Sequence, residues 1–415
     1  MITMKPALLH HLKTLCLLIT FVCMAPVCLS AEKNEYVLQE SSYRKLNDIR
    51  EDIDKGNLRE ALGKLEKLLV DVKDQKYDTA VVLQTMGYVH YELNDAERAV
   101  AAFIKSVETG ELPPDVTHEL HLNIAQLAIY SDKFQTGLEY LGKWFEKEKN
   151  PKPEALLLAA SAYIEMEKYR DAVPYLKRAI QSSDTPPRNW YELLLGAHLQ
   201  AGQLNDAAVL LEDMIVRYPK EKEYWMQLIA VYQQLDKNRK ALAVSELAYK
   251  KGLFNSEEII NLAKNYLWLE MPYKAGKLLV DELQRGRIDN NMENLKLITN
   301  SWLSAQEYDR AIEALEELIR IDNDPEHRFR LAQLLVDKGQ WQAAVPHLEA
   351  VVRSTGFDQI GEAWLLLGIS QYESDNRKDS LVSFNKALAH KRSQEQARWW
   401  VELIKEEMSE EGTES

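Results

Sequence analysis

Ten small residues recur along the chain at intervals that stay between 33 and 38: Ala61, Ala99, Gly137, Ala172, Ala207, Ala241, Ala275, Ala311, Ala344 and Ser380. No other feature constrains the fold as strongly, because a unit of this length holds about two helices and cannot bury both its faces alone. Copies stacked in a row can, and stability then comes from each unit and its interfaces with its neighbours. Four residues after these anchors lie Leu65, Phe103, Leu141, Leu176, Leu211, Ser245, Leu279, Leu315, Leu348 and Phe384, with Ser245 alone out of character. Twelve residues before them lie Ile49, Gly87, Ala125, Ala160, Leu195, Ile229, Ala263, Thr299, Ala332 and Gly368. Most of these are small, and the larger Leu195 and Ile229 predict a different helix spacing in the middle repeats.

The last unit, 361–390, shows the pattern at full strength. Trp364, Leu367 and Gly368 form W-x2-L-G, and Ser380, Phe384 and Ala387 supply small-x3-aromatic-x2-Ala. Two antiparallel helices account for the spacing, with Trp364, Leu367 and Gln371 on one face of the first and Leu381, Phe384 and Ala387 on one face of the second. Punctuation agrees: Lys55-Gly56, Ala201-Gly202 and Lys338-Gly339 fall between paired helices, and Pro113-Pro114, Pro151, Pro186-Pro187 and Pro219 between units. Pro174 and Pro346 are expected in the first turn of a second helix, where a missing N–H costs little.

On these residues the chain resembles the tetratricopeptide repeat proteins. The resemblance implies an all-α fold, a right-handed solenoid of about ten helix–turn–helix repeats over 42–392, in one continuous array. A capping helix over 393–409, with Ala397, Trp400, Val401 and Ile404 on one side, closes the open end, and 410–415 forms an acidic tail.

The start of the chain has different grammar. Lys5 and Lys13 without acidic residues, an apolar run from Thr14 to Ala25, and then Pro26, Cys28 and Ser30 give the anatomy of a secretory signal peptide. A cut after Ser30 or Ala31 is expected, leaving 32–41 as a linker and the mature protein in the periplasm without stable membrane insertion. Cleavage removes all three cysteines, Cys16, Cys23 and Cys28, and with them any disulfide or thiolate chemistry. It also removes Lys5 and Lys13, taking the formal charge from −14 to −16. Nucleic acid is a poor partner for such a chain, since binding it requires clustered Lys and Arg.

The motifs of catalysis do not occur in the sequence: no Gly-rich phosphate loop, no G-x-S-x-G, no H-E-x-x-H. His118 and His121 share a helical face without further ligands and read as a surface pair, while His90 sits at a seam position and reads as a packed histidine. Neither a metal nor another cofactor is expected, and the protein is read as no enzyme.

Function is expected instead on the concave surface that first helices line in the repeat family. The resemblance points inward Gln84, Tyr88 and Tyr91, then Asn123, Gln126 and Tyr130, then Asn261, Lys264, Trp268, Asn300 and Gln333. Amides can pair with a ligand backbone, and aromatics supply contact area at low entropic cost. The basic carboxylate clamp of chaperone-binding members is not reproduced, because Glu92, Glu165, Glu192, Asp337 and Glu373 are offered there instead. A protein or peptide partner is expected. In layout the chain resembles periplasmic tetratricopeptide proteins associated with TonB–ExbB–ExbD energy-transduction systems of gammaproteobacteria, which makes a TonB-system component the implied partner. Two other classes stay open: a scaffold for envelope assembly, serving polysaccharide export, cell-wall synthesis or outer-membrane protein delivery, and an enzyme module hidden in the repeats.

Overall fold

The computed structural model describes residues 36–411, in which all regular structure is helical. The leader 1–31 and residues 412–415 lie outside the described residues. The chain falls into two compact units that meet in sequence at Pro219 and Lys220. Each unit holds five of the ten expected helix pairs.

The first unit contains α1 (Glu40–Asp54) and α2 (Leu58–Asp71), α3 (Lys76–Glu92) and α4 (Ala96–Glu108), α5 (Pro114–Tyr130) and α6 (Phe134–Lys147), α7 (Pro153–Glu165) and α8 (Tyr169–Gln181), and α9 (Arg188–Gln200) and α10 (Leu204–Arg217). The second contains α11 (Lys222–Gln234) and α12 (Asn238–Lys250), α13 (Ser256–Trp268) and α14 (Pro272–Gln284), α15 (Met292–Ser304) and α16 (Tyr308–Ile321), α17 (Pro325–Asp337) and α18 (Trp341–Val352), and α19 (Ile360–Glu373) and α20 (Arg377–Ala387). A last helix, α21 (Gln394–Glu411), follows. Within each unit every helix packs on the next, and first helices of neighbouring pairs also touch, as α1 does α3 and α5 does α7.

The anchors explain this packing. All ten are buried, eight of them fully apolar alanines at 4 % exposure or less, so the backbones cross there without side chains between them. The turn into each second helix is equally regular. Five residues before each anchor the backbone takes a left-handed φ between 55° and 80°, at Gly56, Asn94, Asp132, Glu167, Gly202, Asp236, Glu270, Gln306, Gly339 and Asp375. The next N–H then reaches back to close the helix, as Asp95 N–H does to His90 O at 2.9 Å and Glu307 N–H to Trp302 O at 2.9 Å. This is a Schellman closure, which satisfies carbonyls that the helix end leaves orphaned. Only three of the ten positions are glycine, so seven turns hold a side chain where L-residues are disfavoured.

Across the seam of a pair, volumes trade off. A Cβ built on Gly87 would lie 2.4 Å from Phe103 Cδ1, and one on Gly368 would lie 2.7 Å from Phe384 Cδ1. Where the position twelve before the anchor is alanine, as at Ala125, Ala160, Ala263 and Ala332, the partner four after the anchor is leucine. Where it is Ile229, the partner is Ser245, and both are buried. The out-of-character serine therefore offsets the large isoleucine at constant layer volume. Leu195 shares its layer with Leu211 without such an offset, and both are buried.

Three boundaries differ from the sequence reading. Pro174 and Pro346 are each the sixth residue of their helix rather than in its first turn. Each therefore forgoes one backbone bond, to the carbonyl of Arg170 or Gln342, and both of these residues are exposed, so water can replace the lost donor. The expected linker 32–41 is partly structural: α1 starts at Glu40, Leu38 packs on the core, and Gln39 N–H donates to the buried Asp78 carboxylate at 3.3 Å. The capping helix runs to Glu411, into the expected tail. Its seat is as expected: Ala397 and Ile404 are fully buried, and Trp400 stacks on Phe384 with centroids 5.3 Å apart.

Several cations both lie over an aromatic ring and pair with a carboxylate. Arg217 lies over Tyr191 at 5.3 Å and pairs with Asp213 at 2.5 Å. Lys274 lies over Tyr266 at 5.3 Å and pairs with Glu246 at 3.2 Å. Arg287 lies over Tyr249 at 5.3 Å and pairs with the fully buried Glu282. Arg310 lies over Trp302 at 4.8 Å and pairs with Glu307 at 3.9 Å.

Candidate functional site: the first-helix faces

In the first unit the α3–α5 pair of first helices brings three expected residues into contact. Tyr88 is half-buried with its ring edge-on to Phe103, centroids 5.0 Å apart, and it hydrogen-bonds with Gln84 of its own helix and Asn123 of α5. Burial pushes its hydroxyl above the ordinary tyrosine value, with a smaller push from Glu119. The hydroxyl thus stays protonated and available as a donor at neutral pH.

Gln84 and Tyr88 line a small cleft of about 70 Å³ together with Tyr77, Val81, Leu112, Pro113, Val116 and Glu119. The fold builds it by laying the 109–113 connection against α3. Sequence reasoning missed Tyr77, Val81, Leu112 and Val116. The proline pair at 113–114 marked the connection as a loop, but only the packing shows that Leu112 is 5 % exposed beneath it.

The other expected residues of this unit divide by exposure. Asn123 is 6 % exposed and committed to Tyr88, so it positions the tyrosine rather than meeting a ligand directly. Tyr91 is half-buried. Gln126 is half-buried as well, and its Oε1 is buried without a hydrogen-bond partner among the described residues. Tyr130 is 54 % exposed.

In the second unit Asn261, Lys264 and Trp268 lie exposed along α13, and Asn300 lies exposed on α15. Gln333 of α17 is half-buried and accepts from Arg330 Nη1 at 3.5 Å. Trp268 is 66 % exposed, an unusual state for so large an apolar ring. Of the acidic residues expected nearby, Glu92, Glu165, Asp337 and Glu373 are exposed, whereas Glu192 is half-buried and paired with Arg188 at 2.9 Å.

The histidines have structural surroundings. His90 is 7 % exposed, and burial lowers its pKa. His118 and His121 are half-buried rather than surface residues, the first stacked on Trp144 at 5.6 Å and the second against Tyr140 at 5.7 Å. The α6 rings occupy the space beside both imidazoles. Among the described residues no helix is long and apolar enough to cross a membrane.

Comparison with known families fits the repeat geometry. One tetratricopeptide repeat profile matches residues 163–232, and a second matches 329–397. The chain carries tetratricopeptide repeats. Solved structures of similar make-up include a tetratricopeptide repeat protein of Parabacteroides merdae, 13 % identical over 63 % of this chain and 99 % of that one with a TM-score of 0.33. YrrB, a tetratricopeptide repeat protein with an unusual peptide-binding site, is 17 % identical over 45 % of this chain and 95 % of its own, with a TM-score of 0.34. The Cut9–Hcn1 assembly of the APC/C is 15 % identical over 87 % and 83 %, with a TM-score of 0.26. No curated protein matches the sequence. Tetratricopeptide repeats are suited to holding proteins or peptides, and the remaining question is which surface of this array does so.

Proposed function

We propose that the protein is a non-enzymatic scaffold whose first-helix faces hold an extended, neutral or basic segment of a partner protein. One observation carries this reading. Seven residues before the anchor, at the C-terminal end of each first helix, eight repeats place Asp54, Glu92, Glu165, Gln200, Gln234, Ser304, Asp337 and Glu373. The other two place Tyr130 and Trp268, 54 % and 66 % exposed. A register otherwise polar or acidic thus holds one open aromatic ring in each unit. Rings in that setting suit a proline- and lysine-containing segment, because a preformed polyproline stretch loses little entropy on docking and its lysines meet carboxylates nearby.

The finer reading is a periplasmic accessory to a TonB-type energy-transduction system, whose periplasmic linker would have this chemistry. It is supported by the leader pattern of Met1 to Ala31 and by the resemblance in layout. N-terminal sequencing tests the location: a mature start at Ala31 or Glu32 is expected, and recovery from the cytosol with Met1 intact overturns it. Affinity capture tests the surface. Tyr130→Ala and Trp268→Ala should each weaken capture of the partner by about 1–2 kcal/mol, as buried aromatic anchors do. Unchanged capture by both variants removes the proposal.

A further inference from the structure

Among the described residues six cations meet both an aromatic ring and a carboxylate: Arg217, Lys274, Arg287 and Arg310 as above, Lys143 with Tyr140 and Glu139, and Arg188 with Tyr218 and Glu192. A seventh place has the ring and the carboxylate but no cation. The turn from α17 into α18 and the C-terminal end of α19 enclose an open cleft of about 610 Å³ lined by Gln340, Trp341, Gln342, Glu373 and Ser374. Among the described residues the Glu373 carboxylate has no ion-pair or hydrogen-bond partner, and the Trp341 indole has neither a hydrogen bond nor a ring contact. Of the cations that flank the cleft in sequence, Lys338 is committed to Asp309 and Arg377 to Glu407, and Lys378 makes no ion pair with Glu373.

We propose that this cleft receives an arginine side chain from a partner protein, which completes the arrangement the chain builds internally at six other places. An indole is the best aromatic platform for a cation, and Glu373 supplies the opposing charge. The two glutamine side chains favour guanidinium over ammonium. Their amide oxygens add acceptors beyond the carboxylate, and a guanidinium presents five donors in one plane that also stacks on an aromatic face. The net charge of −14 favours approach of a cationic partner. The cleft is formed by helix ends and turns; it shares Glu373 with the first-helix register but does not use Tyr130 or Trp268, whose substitution tests the proposed peptide surface. Its test and theirs can therefore fail separately.

The experiment follows the indole N–H resonances of the ¹⁵N-labelled full chain during titration with the blocked tripeptide acetyl-Gly-Arg-Gly-amide. The Trp341 resonance is assigned with Trp341→Phe. That resonance should shift and saturate, and the apparent affinity should fall by about tenfold in Glu373→Gln, an exposed position where the substitution leaves the fold intact. The matching citrulline tripeptide, planar but neutral, should bind about tenfold less tightly. No saturable shift at Trp341, or equal binding of arginine and citrulline peptides, overturns the proposal. Equal or tighter binding of the lysine tripeptide overturns the guanidinium assignment.

Discussion

Replacing Gly87 by alanine tests how the repeats conserve volume across their seam. The new Cβ would lie 2.4 Å from both Phe103 Cδ1 and Cε1 and 2.9 Å from Cγ. Carbon atoms settle at roughly 3.5–4.0 Å, so a shift on the order of 1 Å is required. Phe103 is 1 % exposed and carries Tyr88 against its ring, which leaves it nowhere to retreat. Overpacking of this kind costs about 1–3 kcal/mol, and the helix gains back about 0.5–1 kcal/mol from losing a mid-helix glycine, so a net loss of roughly 1–2 kcal/mol is expected. Phe103→Leu alone should lose about 1–2 kcal/mol by opening a gap. Together, the two substitutions recreate the alanine–leucine layer that the chain uses at Ala125 and Leu141. The double variant should therefore be more stable than the sum of the singles by about 1 kcal/mol or more. Denaturant unfolding followed by circular dichroism measures the totals, and hydrogen exchange of α3 and α4 amides localises them, which matters because a repeat array need not unfold in one step. Additivity within about 0.5 kcal/mol would refute the reasoning.

The turns give a second test. Gly202 has φ +70° and open space around an added Cβ, so Gly202→Ala should cost about 1–2 kcal/mol from the backbone alone. Glu167→Gly, at φ +57°, should raise stability by about 0.5–1 kcal/mol in the same titration. A third prediction concerns acid. His198 is 2 % exposed, and burial lowers its pKa from the ordinary 6.5, as it does for His90 and His347. Because the unfolded chain then binds protons more readily than the folded one, stability is full above about pH 6.5 and declines as pH falls through the folded-state values. Denaturation midpoints at pH 7 and pH 5 should show this loss, and His198→Gln should make it smaller.

The register of the fold was legible in the sequence because a buried crossing accepts only small residues, and ten of them at one period fix both helices of every pair. The turns were legible only in part. Glycine marks three of them, while Glu167, Glu270 and Gln306 reach the same left-handed φ because packing of the paired helices requires the Schellman closure despite its local cost. Pro174 and Pro346 were placed too early in their helices, since an exposed carbonyl left to water carries no sequence signal. For the candidate site, helical period grouped residues on a face but could not rank them. Asn123 shares its face with Tyr130, yet Tyr88 from the preceding pair buries the one and leaves the other open. That distinction depends on a neighbouring helix rather than on local sequence. The compensation of Ile229 by Ser245 is similarly invisible until the two positions are seen as one layer.

The central functional claim, that the first-helix faces hold the partner, is tested most directly by site-specific photocrosslinking in intact cells. A benzophenone side chain placed at Tyr130, at Trp268 or at the exposed Glu316 of a second helix would report what lies against each position, with adducts identified by mass spectrometry. The account predicts one and the same protein crosslinked from Tyr130 and from Trp268, through a segment of neutral or basic character, and no such adduct from Glu316. Adducts from Glu316 with none from the two aromatic positions would contradict it.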